Sequence, residues 1–206
     1  MNWPVVVHIT EYVRRREKET GKNIKLTLTT NGTLLNDENI KFLNDNRVML
    51  VLSLDGKKET HDAMRPFPNK AGSYDAAVRG FKKLIDSREG KNYYLRGTYT
   101  HFSKHFCEDV LDMTKVGKEI SVEPVVGIDE PWVLTEEDLP VIFDEYDKLA
   151  RVYLERSLQG AHLIFFATNK LVARINVAIS SDAIVFMTSA AASQTLSNAR
   201  AIVERN

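Results

Sequence analysis

The 206-residue sequence predicts an α/β fold on a parallel sheet. Three observations carry that expectation. Apolar runs of strand length alternate with amphipathic stretches of helical length, in the order α-β-α-β-α-β-α-β-α. Their connections are short enough for right-handed crossovers. Each strand-like run ends on polar residues: Ile24–Thr30 on Asn31-Gly32, Val48–Leu54 on Asp55-Gly56, Tyr93–Thr100 with Arg96 and Thr98, Ile120–Val126 with Glu123-Pro124. In barrels of alternating strands and helices the carboxyl ends converge on one face, and chemistry collects there.

The elements follow in order. Pro4 suits a first helical position and Gly21 a left-handed cap, so the chain opens in a helix. Ile24–Thr30 alternates Ile24, Leu26 and Leu28 against Lys25, Thr27 and Thr29. Asn36 caps a short helix to about Asn46, with Asp37 and Glu38 favourable in its first turn. Val48–Leu54 is almost wholly apolar, as a parallel strand covered on both faces should be. A helical turn and the loop Arg65–Gly72 follow, and Ser73 is placed to cap a helix over Tyr74–Ser87. Next come strand Tyr93–Thr100, helix Lys104–Val116 and strand Ile120–Val126. Thr135 with Asp138 forms a capping box for a long helix to about Arg156. A chain that begins with the helix of a βα unit is expected to have lost the strand before it.

After Gly160 the character changes. Residues 161–206 hold no glycine or proline and only two acids, Asp182 and Glu204. Leu171–Ile179 and Ala183–Met187 fit a hairpin, and Ala190–Glu204 a helix. This stretch is either a packing element or sequence foreign to the domain before it. The division expected is therefore a barrel domain over 1–157 and a separate segment over 158–206.

Composition narrows the function. Acidic and basic residues balance at 28 each, which leaves no electrostatic footprint for nucleic acid or an anionic membrane. Arg14-Arg15-Arg16-Glu17-Lys18-Glu19 is mixed in sign and reads as a solvated helix face. A single cysteine, Cys107, excludes an internal disulfide and cannot by itself ligate a cluster or zinc. The apolar stretch Val5–Ile9 is too short for a signal peptide, and Arg174, Asn176 and Asp182 interrupt the apolar stretch Leu171–Ala190, which rejects it as a membrane span. A soluble cytoplasmic protein is the expectation.

Three segments then occur in order: Leu28-Thr29-Thr30-Asn31-Gly32-Thr33-Leu34-Leu35, Leu52-Ser53-Leu54-Asp55-Gly56, and His61-Asp62-Ala63-Met64-Arg65-Pro66 followed by Gly72-Ser73-Tyr74. Together they resemble the middle of a radical S-adenosylmethionine (SAM) enzyme of the branch with a C-terminal SPASM domain, which includes the anaerobic sulfatase-maturating enzymes and peptide maturases. Leu95-Arg96-Gly97-Thr98-Tyr99-Thr100 and Ile120-Ser121-Val122-Glu123-Pro124-Val125-Val126 are most similar to the maturases that install thioether crosslinks in cysteine-rich SCIFF peptides. The resemblance covers about residues 1–157. It implies a partial (β/α)6 TIM-like barrel of which about strands 3–6 are visible. It also implies a [4Fe–4S] cluster held by a CxxxCxxC loop that this sequence does not contain. In an intact relative the cluster would reduce SAM, and the resulting 5′-deoxyadenosyl radical would take a hydrogen from the peptide. This chain alone is accordingly expected to be inactive and to self-associate through any exposed barrel edge.

Each candidate residue has an ordinary reading beside the one the resemblance implies. Asn31 is a tight-turn residue or faces SAM. Ser53 is placed with the cofactor, and Asp55 either caps the next helix or lines the substrate side of the cavity. Ser73 is an N-cap, compatible with a hydroxyl on the SAM ribose. Arg96 offers a fork that matches the methionyl carboxylate, or pairs with a neighbouring acid such as Glu123. Glu123 either holds peptide or marks a strand end. Arg65 is expected to order its loop. His8, His101, His105 and His162 lack metal-ligand spacing, and Cys107, Tyr93, Tyr94, Tyr99 and Phe102 read as packing residues. A metal-independent aldolase-type barrel would need a lysine or acid pair at the strand ends, and no convincing lysine stands there. A non-catalytic binding or remnant module is the rival of another class.

Overall fold

The computed structural model describes residues 2–158 and 164–166. Helix α1 (Trp3–Thr20) has Pro4 in its first turn, where a missing N–H costs nothing, and stops at Gly21 in the left-handed conformation (φ 66°). Strand β1 (Thr27–Thr30) is shorter than the run that predicted it. Helix α2 (Asp37–Asp45) is capped by Asn36, whose side chain accepts from the Asn39 N–H. Then follow β2 (Met49–Ser53), α3 (Lys58–Met64), α4 (Tyr74–Asp86), β3 (Tyr93–Tyr99) and α5 (Phe106–Met113). Finally come β4 (Glu119–Pro124), α6 (Leu139–Leu158) and β5 (Ile164–Phe166). Ahead of α6, Asp138 Oδ2 accepts from the Thr135 N–H at 2.9 Å, as the predicted capping box requires.

All five strands are parallel and lie in the order β1-β2-β3-β4-β5. One face of this sheet carries the core. Leu50, Leu52 and Leu54 from β2 and its end, Tyr93, Leu95 and Tyr99 from β3, and Ile120 and Val122 from β4 form one buried cluster with side chains of α2, α4, α5 and α6. Strand side chains alternate, so the residues between them, Val51, Ser53, Arg96, Thr98, Ser121 and Glu123, face the other way. Helices outside and a polar row inside make a section of barrel wall. The apolar run Val48–Leu54 thus places Val48 and three leucines toward the helices and two buried residues, Val51 and Ser53, toward the interior.

Residues far apart in sequence fasten the first turn of this wall. Arg14 on α1 donates to Ile24 O (3.0 Å) and Asn46 O (2.6 Å), while Glu17 accepts from the Ile24 N–H at 2.6 Å. Strand β5 pairs with β4 and lies beyond the expected boundary at residue 157; the sequence reading placed no strand there. The predicted hairpin over Leu171–Met187 and helix over Ala190–Glu204 lie outside the described residues. Among the described residues no helix is long and apolar enough to cross a membrane.

Candidate functional site at the carboxyl ends of the strands

At the end of β2 the chain turns away through Gly56 (φ 139°), and Asp55 is left pointing at β3. Its Oδ1 accepts from the Thr98 N–H at 3.0 Å, so the carboxylate stands in for the carbonyl that the departing strand no longer offers. Arg65 grips the same carboxylate with two parallel bonds, Nε to Oδ2 at 2.6 Å and Nη2 to Oδ1 at 2.9 Å. With three donors the Asp55 side chain is only 3% exposed, whereas that of Arg65 is 35% exposed.

These contacts belong to a closed circuit. The Asp55 N–H lies 3.4 Å from His61 Nδ1 and donates to it, which assigns the proton of a neutral imidazole to Nε2. His61 Nε2 is 3.1 Å from Ser73 Oγ, and the Ser73 hydroxyl donates to the Arg65 carbonyl at 2.6 Å. Arg65 returns to Asp55. Burial pushes the His61 imidazole below its ordinary pKa, against the pull of the Asp55 carboxylate, and keeps the ring neutral near pH 7. The ring therefore joins two of the predicted site residues, Asp55 and Ser73, through two residues that sequence reasoning did not place in the site.

The N-cap expectation for Ser73 needs correction. Its side chain makes no capping bond; Asp62 Oδ1 accepts from the Tyr74 N–H at 2.8 Å and caps α4 instead. The Ser73 hydroxyl is committed to the Arg65 carbonyl. Arg65 does order its loop, as expected, and does so through Asp55.

The interior row is built differently. Ser53, Arg96 and Ser121 are register partners on β2, β3 and β4, and Thr98 pairs with Glu123 one step toward the carboxyl ends. Arg96 Nη2 donates to Glu123 Oε2, the ordinary alternative that the sequence offered for this arginine. Arg96 faces away from the helices, into the same interior as Ser53. Its Nε is buried without a hydrogen-bond partner among the described residues, and so is Ser121 Oγ directly across the strand pair. Sequence reading passed over Ser121; a hydroxyl in an otherwise apolar strand, two residues before Glu123, was the available signal.

Asn31 takes its tight-turn role. Its Oδ1 accepts from the Thr33 N–H and hydroxyl at 3.3 and 3.0 Å, and the residue is exposed. The turn is docked closely on α4, where a Cβ at Gly80 would lie 2.3 Å from Gly32 O. Gly32 itself takes φ 76°. Asn31 thus sits at the rim, at the end of β1, on a firmly held loop.

No family model matches the chain. It is 36% identical over 76 residues to a cysteine-type anaerobic sulfatase-maturating enzyme of Clostridium novyi (strain NT), a stretch covering 36% of this chain and 20% of that protein. A protein of the same description from Clostridium perfringens is 42% identical over 52 residues, 24% of this chain and 14% of its own length. Among solved structures, native anSMEcpe with bound AdoMet superimposes at TM-score 0.61 and 19% identity, over 75% of this chain and 43% of that one. Streptococcus suis SuiB bound to S-adenosylmethionine gives TM-score 0.52 and 18% identity, over 73% and 34%. The fold is that of a partial radical SAM barrel. These relatives are radical SAM enzymes and support that family for the chain, whose match spans a fifth or less of the curated relatives' length.

In a radical SAM barrel the donor set can be tested against both groups that the fold implies. The interior row fits a SAM molecule: it presents hydroxyls and a guanidinium, with Arg96 Nε and Ser121 Oγ lacking partners among the described residues. The cluster does not fit. Cys107 is buried on α5, and burial, with the Glu145 carboxylate nearby, pushes its thiol pKa up and keeps it protonated. No group of three or more His, Cys, Asp or Glu among the described residues could hold a metal ion.

Proposed function

We propose that this chain supplies the SAM- and peptide-facing wall of a radical SAM enzyme that modifies a cysteine-rich peptide by forming a thioether crosslink. The observation that carries the reading is the row Ser53, Arg96, Thr98 and Glu123, which lines one interior face at the carboxyl ends of consecutive parallel strands. Ser53, Ser73 and Arg96 would hold SAM, with Asn31 at its rim, and Asp55 and Glu123 would face the peptide. SAM, when bound to a reduced cluster, supplies the hydrogen-abstracting chemistry. The protein's residues position and exclude water. The Asp55–His61–Ser73–Arg65 circuit keeps the rim rigid, and Glu123 holds the Arg96 fork at a fixed height above Ser53.

Peptide binding is supported by two neighbours of the same fold, anSMEcpe with bound Kp18Cys peptide and SuiB bound to its precursor peptide SuiA. A second reading, a sulfatase-maturating type of enzyme, is favoured by the 36% and 42% identical relatives of that description. The 206 residues bring no ligand set for the cluster, so the chain alone should neither assemble it nor turn over. Iron analysis and reductive SAM cleavage after anaerobic reconstitution test this; a stoichiometric [4Fe–4S] signal would overturn it. Mass spectrometry of a cysteine-containing peptide, incubated with this chain and a polypeptide bearing the cluster loop, separates the readings. Thioether formation removes two hydrogens while keeping the sulfur within a crosslink. A non-catalytic binding module would bind the peptide and leave its mass unchanged.

A further inference from the structure

We propose that the loop from β4 to α6, with the turn that leads into α5, is a docking surface for a cationic peptide segment in which basic and apolar residues alternate. The inference deepens the peptide-modifying reading and rests on it for what the docked segment is: the part of the substrate that borders the site. Phe102, Val126, Ile128 and Trp132 are 62%, 93%, 87% and 44% exposed. Apolar residues scattered singly over a surface need no explanation, but these share one place. The His101 N–H donates to the Trp132 carbonyl at 3.0 Å, so the turn bearing Phe102 lies against the loop bearing the other three. The loop is also held. The Val125 N–H donates to the Tyr99 carbonyl at 2.9 Å, past the end of β4, and the Glu130 carboxylate accepts from the Ile128 N–H at 3.0 Å. At the far end the Thr135 N–H is bonded to Asp138, whose carboxylate lies 2.9 Å from His101 Nδ1. Val126 and Ile128 are thus kept in water by an anchored backbone, at a cost that burial under a partner would recover.

Charge names the partner. Acids and bases balance over the whole chain, yet from Glu119 to Asp147 there are ten carboxylates and no lysine, arginine or histidine. Asp138, Asp144 and Glu145 are paired with Lys104 and Lys148. Asp129, Glu130, Glu136 and Glu137, on the loop and its entry to α6, are exposed and make no ion pair among the described residues. An acidic border around an apolar patch draws a cationic partner and repels an anionic one. It also disfavours a second copy of this chain, whose matching patch would bring the same negative charge. Val125 directly follows Glu123-Pro124, so a segment docked here borders the position proposed for the peptide.

The test is fluorescence anisotropy on the full chain, without SAM or cluster, with three labelled synthetic peptides. The first alternates lysine with leucine, the second has glutamate for its lysines, and the third has serine for its leucines. We expect wild type to bind the first at least about tenfold more tightly than either of the others. Val126→Ser combined with Ile128→Ser should weaken that binding about tenfold. Asp129→Asn combined with Glu136→Gln and Glu137→Gln should weaken it about fivefold at low salt, a difference that about 1 M salt removes. Thermal midpoints recorded beside the titrations show that the substituted proteins are folded. Failure of wild type to bind the first peptide, equal binding of all three, or unchanged binding in both variants would overturn the docking surface. So would a wild-type dimer that V126S/I128S turns into a monomer in sedimentation, which would give the patch to a second copy. None of these outcomes touches the thioether reading; a missing crosslink in the mass-spectrometric assay overturns that reading and leaves the docking result as it is.

Discussion

Arg65→Ala is the sharpest probe of the rim, because it strips a buried carboxylate of its charged partner and leaves the backbone alone. In the native protein Asp55 has two bonds from Arg65, at 2.6 and 2.9 Å, and one from the Thr98 N–H at 3.0 Å. After the substitution only the Thr98 bond remains to a side chain that is 3% exposed. Breaking a fully buried pair in this way costs about 3–5 kcal/mol. Since about a third of Arg65 faces solvent, water recovers part of the loss and the expected cost is about 2 kcal/mol. For a chain of this length that lowers the thermal midpoint by about 4–8 °C. Asp55→Asn removes the charge that needs compensating, so R65A should cost less in the D55N background than in wild type. Urea unfolding of the four proteins gives the coupling, expected at about 1–2 kcal/mol. A coupling below about 0.5 kcal/mol would refute the argument that Arg65 is there to compensate Asp55.

Three further outcomes follow from the geometry. His61 is held neutral by burial, so its folded pKa lies below the unfolded value of about 6.5. The unfolded chain takes up the proton first, and stability should be full above that pH and fall as the pH drops below it. Denaturation midpoints measured between about pH 8 and about pH 5 should show this slope, and His61→Gln should flatten it. Gly80→Ala puts a Cβ 2.3 Å from the Gly32 carbonyl, a backbone atom that cannot swing aside; a loss of about 1–3 kcal/mol in urea unfolding is expected. Burial opposes ionisation of Asp138, yet Lys104, the Thr135 N–H and His101 outweigh it and hold the carboxyl below the usual range. Asp138→Asn should therefore cost about 1–3 kcal/mol at neutral pH; the difference from wild type should persist down to about pH 4, where the unfolded carboxyl begins to protonate, and shrink as the pH falls below it.

Local signals made most of the fold legible. Pro4, Gly21, Asn36 and the Thr135–Asp138 pair each act within a few residues of themselves, and each ended or began a helix where its chemistry required. The alternation that places Leu26 and Leu28 on one side and the leucines of Val48–Leu54 fixed which face meets the helices. Ser73 shows the limit of such reasoning. Its capping role was usurped by Asp62, twelve residues from the amide-bearing Tyr74, through a fold of the Arg65–Gly72 loop that no local pattern encodes. His61 and Ser121 were missed for the same reason. What matters about them is a partner, present or lacking, on another element, and that is a property of the assembled sheet.

The contrast between the rim and the interior row is itself informative. At the rim, hydrogen bonds close on themselves, so the cost of ordering Asp55, His61, Ser73 and Arg65 is met in the free protein. One strand pair away the balance differs: Arg96 Nε and Ser121 Oγ are buried donors without hydrogen-bond partners among the described residues, a state that weakens the fold. A protein selected for stability alone would replace Ser121 with alanine or valine, as the neighbouring Ile120 and Val122 suggest the strand could accept. A rigid collar is what preorganised binding requires, because it fixes position without consuming affinity. Strand β3 serves both arrangements, since Thr98 ties it to Asp55 while Arg96, two residues earlier, faces the interior. Loosening the collar should for that reason raise the dissociation constant for SAM even where the substituted residue, such as Arg65, is expected to make no contact with it.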